Sequence, residues 1–189
     1  IKTKLNAFIM AIVNLTEDSF YQQGKKNIDD ILALMKDGAD IIDIGGESTR
    51  PGSLYISAEE ELERIIPVIE KIREYSDIPI SVDTRKKIVM EEAYKVGANI
   101  LNDVSALEDD KDMVDFIAVN EIPVVLMHKK GIPLTMQESP SYKNVFSEVN
   151  EYLSSRVDFA LRHGVLKSNI IVDPGIGFGK RLEDNRELV

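Results

Sequence analysis

The sequence predicts an α/β fold of the (β/α)8 TIM-barrel type that stops after about six βα units, and three observations lead there. Short apolar runs rich in Ile and Val alternate with longer charged segments of helical period, the pattern of βα units on a parallel sheet. The runs are almost continuously apolar, as in strands buried on both faces. Polar residues end several different runs, and the first βα turn, Asn14-Leu15-Thr16-Glu17-Asp18-Ser19-Phe20, lacks the glycines with which a doubly wound sheet holds a phosphate. An eight-unit barrel is typically about 250 residues. This chain has 189, and its last helical segment has barely begun at Val189, so the expectation is a barrel missing its C-terminal units.

The elements follow in order. Strands are expected over residues 8–13, 40–44, 78–82, 99–103, 123–127 and 169–173, and helices over 27–37, 58–75, 85–96, 110–120 and 143–163, with another beginning near Leu182. Gly38-Ala39-Asp40-Ile41-Ile42-Asp43 is echoed by Gly97-Ala98-Asn99-Ile100-Leu101-Asn102, each reading as a helix stop, a turn and a strand. Ser57 caps the helix that Glu59, Glu60 and Glu61 open, an acidic run suited to the helix dipole on a solvated face. No Pro/Gly-rich linker divides the chain, so residues 1–189 read as a single domain.

Composition removes several function classes. Lys and Arg total 23 against 33 for Asp and Glu, a formal net charge of −10, which opposes nonspecific nucleic-acid binding. No apolar run approaches the roughly 18 residues of a membrane span, and a soluble, cytoplasmic protein is the expectation. Cysteine is absent, which removes thiolate nucleophiles and Cys-ligated metals. Two histidines, His128 and His163, are too few for a His-rich metal site.

The irregular stretches near 15–26, 45–57 and 128–142 each follow a strand, so the long loops share one end of the sheet, where such folds build their sites. Asn14, Asp43, Glu47, Asp83, Asn102, Asp103, His128 and Asp173 gather there. One Asp or Asn after a strand is commonly a cap or an Asx turn. Taken together, carboxylates that accept and amides that both donate and accept suit the edge of a flat nitrogen heterocycle. Gly45-Gly46-Glu47-Ser48-Thr49-Arg50-Pro51-Gly52-Ser53 combines backbone freedom, hydroxyls and a guanidinium, as a loop that wraps a phosphate does. In Asp173-Pro174-Gly175-Ile176-Gly177-Phe178-Gly179-Lys180-Arg181 the glycines lack the dinucleotide spacing. Phe178 between two of these glycines reads as exposed and able to pack on a ligand ring, or else as an ordinary core plug. His128 reads as readily as a loop hydrogen-bonding residue as an acid/base group, and His163 takes no role beyond the helix end.

Asn14 to Phe20, Gly45 to Gly52, Ser81-Val82-Asp83-Thr84, Asn102-Asp103-Val104-Ser105, Met127-His128 and Asp173 to Lys180 together resemble dihydropteroate synthases, in order along nearly the whole chain. The resemblance implies a (β/α)8 barrel that condenses 6-hydroxymethyl-7,8-dihydropterin pyrophosphate with p-aminobenzoate in folate biosynthesis, the step sulfonamides target. It implies that Asp83, Asn102 and Asp173 read the pterin with Met127 beside the ring, that Phe178 lies near the p-aminobenzoate ring, and that Gly177 is a further substrate-binding position. Thr49 and Arg50 would close over the reacting substrates, and Asn14 would help hold a magnesium-bound pyrophosphate, making Mg2+ the implied cofactor. The implied partners are small-molecule substrates, with a homodimer in the full-length form and neither nucleic acid nor membrane. The family also uses a Lys after its seventh strand and an Arg-x-His after its eighth, positions beyond Val189, so weak binding or slow turnover is expected of this piece alone. The nearest rival, a pterin-dependent methyltransferase, is disfavoured by Ser48-Thr49-Arg50-Pro51-Gly52.

Overall fold

The computed structural model describes residues 7–15, 26–48, 53–131, 134–138 and 140–189. Strands and helices alternate in an α/β fold: β1 Met10–Asn14, α1 Lys26–Lys36, β2 Ile41–Gly45, α2 Ala58–Arg73, β3 Ile80–Asp83, α3 Lys87–Lys95, β4 Ile100–Asp103, α4 Met113–Val119, β5 Val124–Met127, α5 Val145–Arg162, β6 Ile170–Asp173 and α6 Leu182–Leu188. Each expected run forms its element, with ends shifted by a few residues. The strand expected from residue 78 begins at Ile80, because Pro79 has no N–H to donate; its carbonyl still accepts from Ile42 N at 3.0 Å. The chain forms two compact units, one holding β1 to β3 with α1 and α2, the other holding Leu101 onward together with residues 85–87 and the described part of 48–55.

In the first unit β2 lies between β1 and β3, all parallel, with Ile12, Asp43 and Ser81 in register and Asn14, Gly45 and Asp83 in register beyond them. Helix α2 starts where Ser57 Oγ accepts from Glu60 N at 3.2 Å, the cap the sequence predicts. Its buried stripe is Glu61, Ile65, Ile69 and Ile72, at the three- and four-residue spacing of one helix face. Complete burial of one such Ile is worth about 1.5–3 kcal/mol, and Ile69→Ala would cost about 2–5 kcal/mol. Glu61 departs from the expected solvated acidic run: it is 1% exposed because it falls in phase with that stripe. At the end of α2, Arg73 donates to the carbonyls of Gly97, Ser76 and Ile78 and to Asn99 Oδ1, tying the turns before β3 and β4 to the helix. Gly97 makes this possible at φ +110°, where a Cβ would meet the Arg73 side chain at 2.8 Å.

In the second unit β5 lies between β4 and β6, again parallel, with Asn102 opposite Val125, Val125 opposite Ile171 and Met127 opposite Asp173. Helix α5 is opened by Asn144, whose Oδ1 accepts from Ser147 N at 2.7 Å, while Glu148 Oε1 accepts from Lys143 N at 2.7 Å and from Asn144 N at 3.2 Å. Its Val145, Val149 and Leu153 form a cluster with Tyr142, Tyr152 and Leu188. The expectation of burial on both faces holds for β5 but not for β6, where Ile171 and Val172 are about half exposed.

Candidate functional site

Strand alternation and register decide which side chains meet. In parallel strands residues in register point the same way, and so do residues two apart. In the first unit, Asn14, Gly45 and Asp83 therefore form one row at the C-terminal ends of β1, β2 and β3, with Ile12, Asp43 and Ser81 forming the row beneath. Gly45 is the gap in the upper row. A Cβ there would lie 3.3 Å from Asn14 Oδ1 and 3.4 Å from Asp83 Cβ, so the missing side chain leaves a slot between an amide and a carboxylate. In the lower row Asp43 and Ser81 are buried, and the Ser81 hydroxyl has no hydrogen-bond partner among the described residues. A buried hydroxyl in that condition costs stability, which is why such groups concentrate at working sites.

The loop after β2 is braced by its own residues. Glu47, 4% exposed, accepts from Ile56 N through Oε2 at 2.8 Å, and Arg64 donates to the Gly46 carbonyl at 2.8 Å. A Cβ on Gly46 would come within 2.9 Å of Glu61 and Ile65, so only glycine lets the strand end seat against α2. This gives Glu47 a structural occupation, in contrast to its expected membership of the ligand constellation. Thr49 and Arg50 lie outside the described residues.

In the second unit, Asn102, Val125, Met127, Ile171 and Asp173 share one face. The register thus brings Met127 directly beside Asp173, with Asn102 one pleat below. Asp103 points the other way and is 1% exposed. Its Oδ1 accepts from Ser105 N and Oγ at 2.7 Å each, and its Oδ2 accepts from Leu107 N at 2.8 Å. Burial pushes its carboxyl pKa up, and these hydrogen bonds oppose the shift. Asp103 is therefore an Asx-turn anchor rather than a ligand-reading group, which corrects its place in the expected constellation. The turn it anchors carries Ala106 at φ 50° and Leu107 at φ 65°, a left-handed pair without glycine. Arg156 on α5 secures it from outside, donating to the Ala106 carbonyl at 2.7 Å and the Leu107 carbonyl at 3.1 Å. Left-handed non-glycine residues persist where the surroundings over-determine them.

The loop after β6 begins with Asp173 Oδ1 accepting from Gly175 N at 2.7 Å. Gly175 sits at φ +67°, and a Cβ there would run into the His128 carbonyl; Gly179, at φ +64°, would meet the Lys130 carbonyl. Gly177, by contrast, faces open space and donates its N–H to Asn185 Oδ1 at 2.8 Å. Phe178 is half-buried rather than exposed, and Ile176 is the exposed apolar residue of the loop. Phe178 N donates to the Gly175 carbonyl at 3.1 Å, closing a turn.

Lys180 is the residue whose place the sequence did not reveal. Read as one of two loop cations, it is in fact 3% exposed. Its Nζ approaches His128 Nδ1 at 3.0 Å and the carbonyls of Gly175 at 2.8 Å, Phe178 at 3.1 Å and His128 at 3.2 Å. Burial lowers its pKa to about 8, against the pull of Asp173 and Asp184, so it remains an ammonium at neutral pH. Burial, with the Lys180 charge beside it, lowers His128 to about 4. An ammonium only donates, so Nδ1 accepts and the imidazole proton sits on Nε2. His128 thus acts as the acceptor for Lys180, the loop hydrogen-bonding role of the two the sequence left open. Among the described residues, no cluster of three or more His, Asp or Glu side chains could hold a metal ion.

A family model described as pterin binding enzyme matches residues 10–189. The dihydropteroate synthase of Escherichia coli (strain K12) is 45% identical over 186 residues, an alignment that covers 96% of this chain and 66% of that protein, so the chain spans just under two thirds of that relative's length. Among solved structures, Yersinia pestis dihydropteroate synthase in a sulfonamide drug complex superposes with a TM-score of 0.89 at 36% identity, covering 96% of this chain and 67% of the other. Xanthomonas albilineans dihydropteroate synthase with 4-aminobenzoic acid gives 0.88 at 42% identity, covering 96% and 66%. The chain belongs to the pterin binding enzyme family, and the relatives it matches are dihydropteroate synthases.

Proposed function

We propose that this chain carries the pterin-binding part of a dihydropteroate synthase, joining 6-hydroxymethyl-7,8-dihydropterin pyrophosphate to p-aminobenzoate. The observation that carries the reading is the row formed by Asn14, Gly45 and Asp83, in which a glycine slot lies between an amide and a carboxylate at the strand ends. A flat heterocycle with N–H groups on its edge suits that slot. In this reading Asp83, Asn102 and Asp173 accept from the pterin N–H edge, and Met127 covers the ring. Phe178 lies near the p-aminobenzoate ring, Gly177 is a substrate-binding neighbour on the same loop, and Thr49 and Arg50 close over the reacting substrates.

The C–O bond between the pterin methylene and pyrophosphate breaks, its electron pair leaving with pyrophosphate. The arylamine nitrogen forms the new C–N bond and gives up one proton to solvent. No protein nucleophile takes part. Carboxylates against the ring stabilise the positive charge that develops at the methylene. Asn14 offers a hard amide oxygen at a strand end where, among the described residues, no all-protein cage forms, a donor suited to magnesium bound mainly by substrate phosphates and water. When bound there, magnesium supplies charge neutralisation for the departing pyrophosphate. No helix among the described residues is long and apolar enough to cross a membrane, and the reading places the reaction in the cytoplasm, with a homodimer for the full-length protein.

The test is magnesium-dependent pyrophosphate release from the pterin pyrophosphate, with and without p-aminobenzoate, on this chain and on one extended to the length of the Escherichia coli relative. Release that requires p-aminobenzoate supports the reading. A folded, extended chain that binds the pterin and releases no pyrophosphate overturns it.

A further inference from the structure

Helix α5, the loop after β5 and the loop after β6 meet at His128. Its imidazole packs edge-on against Tyr152 of α5, ring centroids 5.0 Å apart, and lies 6.1 Å from the Tyr142 ring. Tyr152 also donates its hydroxyl to Glu108 Oε2 at 2.9 Å, in the loop after β4. On its other side His128 receives the Lys180 ammonium, which also meets the Gly175 and Phe178 carbonyls. The three N–H bonds of that ammonium serve four acceptors, so two acceptors share one, and none of its capacity is left for a ligand anion. A cation placed this way organises backbone instead of binding phosphate.

We propose that Lys180 and His128 form a positioning device for the loop after β6: the ammonium, seated on the neutral imidazole, fixes the Gly175 and Phe178 backbone, and protonation of His128 unseats it. This rests on the reading of Phe178 as a wall of the p-aminobenzoate site. A protonated Nδ1 no longer accepts, and two cations would then stand where one hydrogen bond was. The charged groups acting on the pair are Asp173 of β6 and Asp184 of α6 on Lys180, and Lys130 and Glu148 on His128. Tyr142 and Tyr152, whose phenol pKa values burial pushes up, face the imidazole uncharged. Acidification therefore loosens this loop before it disturbs β4 or β5.

Amide hydrogen exchange of residues 175–179 in this chain, corrected for intrinsic rates between about pH 7 and about pH 4, reads the device without any ligand. Protection of Gly177 and Phe178 is expected to fall at least ~10-fold in acid relative to the β4 and β5 amides. His128→Asn, which offers a non-titrating acceptor near the Nδ1 position, is expected to keep the protection and lose the pH dependence. Lys180→Met is expected to lose protection at every pH. Because the chain has no cysteine, Lys180→Cys can be alkylated with bromoethylamine while unfolded and then refolded, rebuilding an ammonium that restores protection.

Unchanged protection in Lys180→Met, or a pH dependence that survives in His128→Asn, overturns the proposal. Should Lys180→Met not fold, imidazole nitrogen NMR shifts of the wild-type chain decide: a proton on Nδ1 at neutral pH overturns it, and a lone Nε2 proton supports it. In the extended chain, Lys180→Met should raise KM for p-aminobenzoate more than for the pterin. If the synthase reading is wrong, p-aminobenzoate is not consumed at all while the exchange results stand, so the two failures are separable.

Discussion

Lys180 Nζ stands 3.0 Å from His128 Nδ1, with the two side chains only 3% and 5% exposed. Both members of the pair make stability rise with pH, in two separate windows. Unfolded, His128 titrates near its ordinary 6.5, and folded near about 4. Between those values the unfolded chain binds a proton that the folded chain refuses, so stability falls as pH drops through that window, by about 3 kcal/mol. Lys180 is lowered from 10.5 to about 8, so the folded chain gives up its proton first, and this group's contribution rises as pH climbs through that interval. Urea unfolding across pH checks both signs. His128→Asn should flatten the acid limb, and an unaltered acid limb in that variant would refute the assignment.

Gly45→Ala separates ligand binding from folding. Gly45 lies in a strand at an ordinary φ, so alanine meets no backbone strain and stability should change by less than about 1 kcal/mol. Its methyl group would occupy the slot between Asn14 Oδ1 and Asp83. Pterin affinity is expected to fall about tenfold or more, equivalent to about 1.4 kcal/mol. Calorimetric titration beside a thermal melt decides; an equal loss of stability and affinity would mean that the slot is only packing.

Much of this arrangement is legible in the sequence because strand periodicity is local. A polar residue at the end of an apolar run marks the loop-bearing end of the sheet, which is how Asn14, Asp83, Asn102 and Asp173 are chosen, whereas Met127 enters through the family resemblance. What the sequence hides depends on tertiary closure. Asp103 and Asn102 are adjacent polar residues, and only the pleat sends one to an Asx turn and the other to the shared face. Lys180 reads as an ordinary loop cation, because its burial is decided by carbonyls of residues as distant as His128. Arg156 is invisible for the same reason, as its partners lie 50 and 49 positions away. Glu61 is partly recoverable, since it stands in phase with Ile65, Ile69 and Ile72.

Two glycines of the β6 loop should respond differently to the same change. Both have positive φ, which costs an alanine about 1 kcal/mol by itself. At Gly175 the added Cβ also overlaps the His128 carbonyl, a backbone atom that cannot move without disturbing β5, whereas at Gly177 it meets open space. Gly175→Ala is therefore expected to cost about 3 kcal/mol or more and Gly177→Ala about 1 kcal/mol, by urea denaturation. Equal costs would mean that the loop backs away from His128 without penalty.

Arg156→Met keeps the aliphatic stem of the side chain on α5 while removing its donors. The Ala106 and Leu107 carbonyls would lose their bonds at 2.7 and 3.1 Å, and two left-handed residues would lose their outer support. A loss of about 2–3 kcal/mol is expected. Because Asp103 still holds the turn from within, the loss should stop short of unfolding, and the double variant with Asp103→Ala should cost more than the sum of the two. Strict additivity would show that the two residues do not share one strained turn.

Asp83→Asn tests the chemistry of the row most directly. The amide matches the carboxylate in shape, so the fold should survive, but it removes the charge and replaces one acceptor oxygen with a donor. Against a ligand edge that presents N–H groups, the variant sets donor against donor and also removes the negative charge that steadies a developing cation. The expected loss is about 2–4 kcal/mol in kcat/KM for the extended chain, carried mainly by kcat if the charge acts in the transition state. The split decides between the two roles of Asp83. A rise confined to KM would make it an anchor for the ring, and unchanged pterin affinity and rate in a folded variant would remove it from the site altogether.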